Sequence, residues 1–218
     1  MKESGIIEPL VAALVELHEK QPYSHVPMEL FSRLNTELEA ATQGGKPAPP
    51  WAQTAADLVL KIAPYQYSPQ TSFADSAMDF YVKAAQATPE AVEAMVLDEM
   101  QEPGVRAAAL AKVIELKPAT AILPGLTKTY DRLPYDLRKS LGPAAAAAPK
   151  AEGAAALLAR FLRDTSLCQE LETETALRYL SVPLRPELRA AIGGLRDDPG
   201  LGPAAREALR RAEKGKQQ

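Results

Sequence analysis

The chain is predicted to be all-α, with its helices stacked as antiparallel pairs, and three observations carry that expectation. Apolar residues recur at three- and four-residue spacing along most of the length, which is the period of a one-sided helix. Ala and Leu dominate while β-branched residues are sparse, and no stretch sustains a period-two alternation of Val, Ile and Thr. The 19 prolines fall mostly at segment boundaries. In Gln86-Ala87-Thr88-Pro89-Glu90, for example, Pro opens a helix, where its missing N–H would have had no helical partner.

Read in order, the helical segments are expected at 6–19, 27–41, 51–63, 74–87, 89–101, 104–116, 119–131, 134–148, 151–164, 166–180, 184–196 and 202–215. The first places Ile6, Ile7, Leu10, Val11, Leu14 and Leu17 on one face. Glu8 and Glu16 interrupt it, so it reads as a core helix rather than a signal peptide. Residues 43–50, Gln-Gly-Gly-Lys-Pro-Ala-Pro-Pro, form a connector that is flexible and then stiff. Glu102-Pro103-Gly104, Ser181-Val182-Pro183 and Asp198-Pro199-Gly200 are marked stops. Gly142-Pro143 followed by five alanines and Pro149 is read as helix rather than linker, on the strength of the alanines. Ser166 is placed as a helix cap, and Glu174 with Arg178 as a supporting pair one turn apart.

From residue 88 onward the pattern repeats loosely. Leu97-x-x-Met100, Leu126-x-x-x-Tyr130, Leu158-x-x-Phe161 and Ile192-x-x-Leu195 each close the first helix of a pair, with leading positions 29, 32 and 34 residues apart. A helix pair of that length buries its faces only by stacking on the next. The domain organisation read from this is an N-terminal helical region with an aromatic loop over 1–87, continuous with repeats over 88–218.

Glu102-Pro103-Gly104-Val105-Arg106, followed by Ala107, Ala108, Ala109 and Leu110, resembles the turn and second-helix start of a short HEAT-like repeat. Asp197-Asp198-Pro199-Gly200-Leu201, followed by Ala204-Ala205-Arg206-Glu207-Ala208-Leu209, is similar. The resemblance implies a HEAT-like α-solenoid, in which an Arg–Asp ladder commonly joins successive repeats. Arg106 matches the ladder Arg, whereas Gly202 stands at the corresponding place in the last repeat. A tetratricopeptide-like array and an irregular helical bundle are the rival arrangements. Val113-Ile114-Glu115-Leu116-Lys117-Pro118 fits the end of a tetratricopeptide repeat, but the Trp-Leu-Gly-Tyr pattern of its first helix is missing.

The totals limit the chemistry. At 46% apolar and 24% charged residues, the chain has the composition of a folded protein rather than a disordered one. A single cysteine, Cys168, excludes an internal disulfide and a multi-cysteine metal site and points to a cytoplasmic setting. Near a helix N-terminus but far in sequence from both histidines, Cys168 reads as a small packed residue. His18-Glu19 opens like a zinc-protease signature, but Pro22 stands where the second His is required. Gly44-Gly45-Lys46 lacks the remainder of a phosphate loop. Neither metal nor cofactor is expected, nor a membrane span, since no apolar run reaches about 20 residues.

Two segments are candidates for binding. Pro64-Tyr65-Gln66-Tyr67-Ser68-Pro69-Gln70-Thr71-Ser72-Phe73 is a polar loop carrying Tyr65, Tyr67 and Phe73, aromatics of the kind that anchor interfaces. Alternatively, these rings seal the core beside Trp51, Phe80 and Tyr81. The second is a basic face on the last helix formed by Arg206, Arg210, Arg211 and Lys214, which also suits a solvated terminal cap. Residues 1–118 hold 16 acidic and 9 basic side chains, whereas 119–218 hold 12 and 16. The expected function is therefore a non-catalytic adaptor or scaffold that binds another protein, with nucleic acid disfavoured by the acidic half. The alternative is a HEAT-like nucleic-acid-binding or DNA-lesion-processing enzyme in which Trp51, Tyr65 and Tyr67 stack on a base.

Overall fold

The computed structural model describes residues 4–21, 28–63, 73–117, 122–148, 151–167, 171–180 and 184–214. Among these the chain is helical, with no strand. It forms two compact units, Met1–Lys112 and Val113–Gln218.

The first unit contains α1 (Ser4–Lys20), α2 (Met28–Thr42), α3 (Pro50–Ile62), α4 (Phe73–Ala85), α5 (Pro89–Leu97) and most of α6 (Pro103–Leu116). Heptad-spaced apolar residues make its core. Ile7, Val11 and Leu14 lie on α1, Phe31, Leu34 and Leu38 on α2, and Phe73, Ala77, Phe80 and Ala84 on α4, all buried. The Phe31 ring meets Phe73 and Phe80 with centroids 5.0 and 5.8 Å apart. Ala52, Ala55 and Ala56 let α3 pack closely on α4.

The helix starts follow the sequence. Pro50 and Pro89 stand in the first turns of α3 and α5, and the Thr88 hydroxyl accepts the Ala91 N–H at 3.3 Å. Gln86 closes α4 with φ 48°, a left-handed helix end.

The second unit contains α7 (Ile122–Thr129), a 3₁₀ turn (Tyr130–Arg132), α8 (Tyr135–Ala147), α9 (Ala154–Phe161), a second 3₁₀ turn (Thr165–Leu167), α10 (Leu171–Tyr179), α11 (Pro186–Gly193) and α12 (Gly202–Lys214). Here α7 packs on α9 and α9 on α11, while α8 packs on α10 and α10 on α12. The two rows meet where α8 lies on α9 and α11 on α12. Gly142 permits the α8–α9 approach, because a Cβ there would sit 2.3 Å from the Phe161 ring. The alanine run continues α8 to Ala147 despite Pro143 within it.

All twelve expected helices are present, but five are shorter than the sequence suggests: those expected at 89–101, 119–131, 151–164, 166–180 and 184–196. The segment at 89–101 stops at Leu97, because the Asp98 carboxylate takes the Met100 N–H at 2.9 Å and turns the chain. The segment at 166–180 begins as the second 3₁₀ turn, and its α-helix opens at Leu171. Ser166 is not a cap for that helix, since its hydroxyl donates back to Asp164 at 2.6 Å. The Glu174–Arg178 pair forms as expected, at 2.6 Å.

Candidate functional site

Of the three aromatics expected to anchor a partner, Tyr65 and Tyr67 lie outside the described residues, as does Cys168. Phe73 corrects the expectation. It opens α4, is 3% exposed, and stacks against Phe31 as part of the core. Its place at the head of the seam 73, 77, 80, 84 was the available signal. Trp51 is likewise buried in α3 and presents no face for a base to stack on.

On α12 the expected basic face is largely occupied by internal bonds. Arg211 donates to the carbonyls of Arg178 and Leu177 at 2.6 and 2.7 Å, satisfying two of the last four carbonyls of α10. Arg210 makes two bonds of 2.8 Å to Glu207, which hold the Glu207 carboxyl below the usual range. Arg206 donates to the Arg196 carbonyl. Lys214 is exposed. Arg206 and Arg211 thus bond main-chain carbonyls outside α12, Arg210 pairs within it, and Arg206, Arg210 and Lys214 remain exposed.

That Arg206 bond has a counterpart in the first unit. Arg106, 4% exposed, donates from Nε to the Val96 carbonyl at 2.9 Å, an otherwise orphaned acceptor at the end of α5. In both places the Arg reaches ten residues back. In both, an Asp eight residues before the Arg caps the turn, with Asp98 accepting from Met100 N–H and Asp198 from Gly200 N–H, each at 2.9 Å. The α5–α6 and α11–α12 junctions are thus built alike, from Asp98, Pro103 and Arg106 and from Asp198, Pro203 and Arg206. The Arg106–Val96 contact stands where the resemblance implied an Arg–Asp ladder, whereas in the last repeat Gly202 holds the ladder position and Arg206, four residues on, makes the carbonyl contact.

The most extensive polar cluster lies in the second unit. The Asp164 carboxylate accepts from Tyr130 OH at 3.2 Å, from Ser166 N–H and Oγ at 3.0 and 2.6 Å, and from Arg138. Burial alone would raise its pKa, but these donors outweigh burial and hold it below the usual carboxylate range. Burial, reinforced by Asp164, pushes the Tyr130 hydroxyl well above the ordinary tyrosine value. Arg138 and Arg160 lie 5.9 and 5.7 Å from the Tyr130 ring, and Arg160 pairs with Asp131. Apart from the buried Arg138 Nε, which has no hydrogen-bond partner, the principal groups bond one another, so the arrangement reads as a brace between α8 and the turn after α9.

The candidate site is elsewhere, in the first unit. A cleft of about 560 Å³ is lined by Leu60, Met95, Met100 and Val105, with His18, Asp57, Lys61, Tyr81, Gln101 and Glu102 adding polar groups. That volume is in the range of functional pockets. The Nδ1 atom of His18 is buried and has no hydrogen-bond partner. Met100, on the turn that borders the cleft, is 92% exposed, and Leu97, the last residue of α5, is 55% exposed.

The repeated positions differ in burial. Leu126 with Tyr130, Leu158 with Phe161, and Ile192 are buried and Leu195 is half-buried, whereas Leu97 and Met100 face solvent. The reason is local. α5 buries Val92 and Val96, four apart, and Leu97 stands about 100° around the helix from Val96. The sequence marked the two residues as the close of a helix without fixing their exposure, and it gave no sign of the cleft.

Among the described residues no group of three or more His, Cys, Asp or Glu side chains is arranged to hold a metal ion. None of the described helices is long and apolar enough to cross a membrane. No family model, curated protein or solved structure matches the chain.

Proposed function

We propose that the chain is a non-catalytic protein-binding module, an adaptor or scaffold subunit, built on HEAT-like stacked helix pairs and acting in the cytoplasm. The alternate packing of α7 to α12 supports the stacked-pair reading, as does the repeated Asp–Pro–Arg junction. Fold by itself assigns no function. The observation that carries the reading is the exposed Leu97 and Met100 beside a cleft lined in part by Met95 and Leu60. A large apolar side chain held in water gains nothing for the monomer, but contributes roughly 1.5–3 kcal/mol if a partner covers it. Methionine suits such a surface because its flexible thioether adapts to irregular partners.

The test is affinity purification of the full chain, beside its Leu97→Ser/Met100→Ser variant. The unaltered chain is expected to retain a stoichiometric protein, and the variant to lose at least 10-fold of it with unchanged melting. Failure to retain any protein under gentle salt conditions overturns the reading.

A further inference from the structure

We propose that the cleft beside the α5–α6 turn docks a basic amphipathic helix of a protein partner, with apolar side chains entering between Leu60, Met95 and Met100 and its Lys or Arg residues meeting Asp98, Glu99 and Glu102. The inference rests on the protein-binding reading above and specifies the partner's chemistry. Its central observation is the coincidence of exposed apolar and acidic residues in Leu97-Asp98-Glu99-Met100-Gln101-Glu102. Asp98, Glu99 and Glu102 are all exposed there.

The second junction acts as an internal control. It repeats the turn of the first, with Asp198 and Arg206 in the places of Asp98 and Arg106, yet carries Asp197 and Gly200 where the first has Leu97 and Met100. The turn therefore forms without apolar side chains at those positions. Leu97 and Met100 are not demanded by the local fold, and their exposure calls for an occupant.

Charge selects the occupant. The unit holds 15 acidic and 8 basic residues, and the turn adds three carboxylates beside the cleft. That field attracts a cationic segment and repels phosphates, which disfavours nucleic acid and anionic lipid. Lys61 also lines the cleft, opposite in sign to Asp57 and Glu102. A helix is the fitting form, because the described residues offer no strand edge for an extended peptide to pair with.

The probe is a synthetic helical peptide with Leu on one face and Lys on the other, titrated into the full chain at low and moderate salt. Two control peptides replace every Lys by Glu, or every Leu by Ala. The Leu/Lys peptide is expected to bind more tightly at low salt, and both controls to bind at least 10-fold more weakly. Leu97→Ser/Met100→Ser and Glu99→Lys/Glu102→Lys are each expected to weaken it at least 10-fold without moving the thermal midpoint, since all four positions are exposed. Binding unchanged in both double variants, or equal binding of the Glu peptide, overturns the proposal. If the purified partner is released by Leu97→Ser/Met100→Ser but not by Glu99→Lys/Glu102→Lys, the basic-helix inference fails while the binding-module reading stands.

Discussion

Asp164 draws four donors onto one carboxylate, so its charge is worth more in the folded than in the unfolded chain. A carboxyl held below its ordinary value stabilises the fold above that value and loses the contribution as pH falls through its lowered one. The second unit is therefore expected to weaken as pH drops below about 4. Asp164→Asn should cost about 2 kcal/mol at neutral pH and flatten that acid limb, as read by thermal melts from pH 7 to 2. Parallel acid limbs in the two proteins would count against the assignment. Single residues also mark what the sequence disclosed. Phe73 was legible as core from its heptad seam with Ala77, Phe80 and Ala84, though its place at the end of a polar loop suggested exposure. Leu97 was not legible, because periodicity says which residues share a face and not whether anything covers it. Arg211 was hidden for another reason: its acceptors are main-chain carbonyls, which have no signature in sequence.

At the scale of elements, punctuation was readable and lateral packing was not. Proline and glycine boundaries located the helices, since the physics that ends a helix is local. Which helix lies against which depends on side-chain size at the crossing, as between α8 and α9. There Gly142 faces the Phe161 ring so closely that any Cβ must displace it. Gly142→Ala, favourable by helix propensity alone, is thus expected to destabilise by roughly 1–3 kcal/mol through overpacking. Phe161→Leu in the same background should recover part of that loss, since a smaller side chain makes room. Denaturant melts of the single and double variants decide it. A Gly142→Ala protein as stable as the parent would show that the two helices separate at no cost.

For the molecule as a whole, composition foretold a charge asymmetry and a helical fold, but the division into two compact units after Lys112 carries no sequence marker, because it falls inside the unbroken helix α6. Both units bury large side chains, among them Phe31, Phe80 and the only tryptophan, Trp51, in the first and Tyr130, Leu137 and Phe161 in the second, but α12 at the end of the second buries mainly Ala205, Ala208 and Ala212. Alanine buries little area, so that edge of the second unit has less apolar stabilisation per residue. Trp51 fluorescence then follows the first unit alone, while far-UV circular dichroism follows the helices of both. Two-state behaviour is not required of a chain with two cores. In urea, the dichroism is expected to begin falling before Trp51 is exposed, and Gly142→Ala should move that early phase while the Trp51 midpoint stays within experimental scatter. Coincident transitions that shift together in the variant would instead mean that the shared helix α6 binds both cores into one cooperative unit.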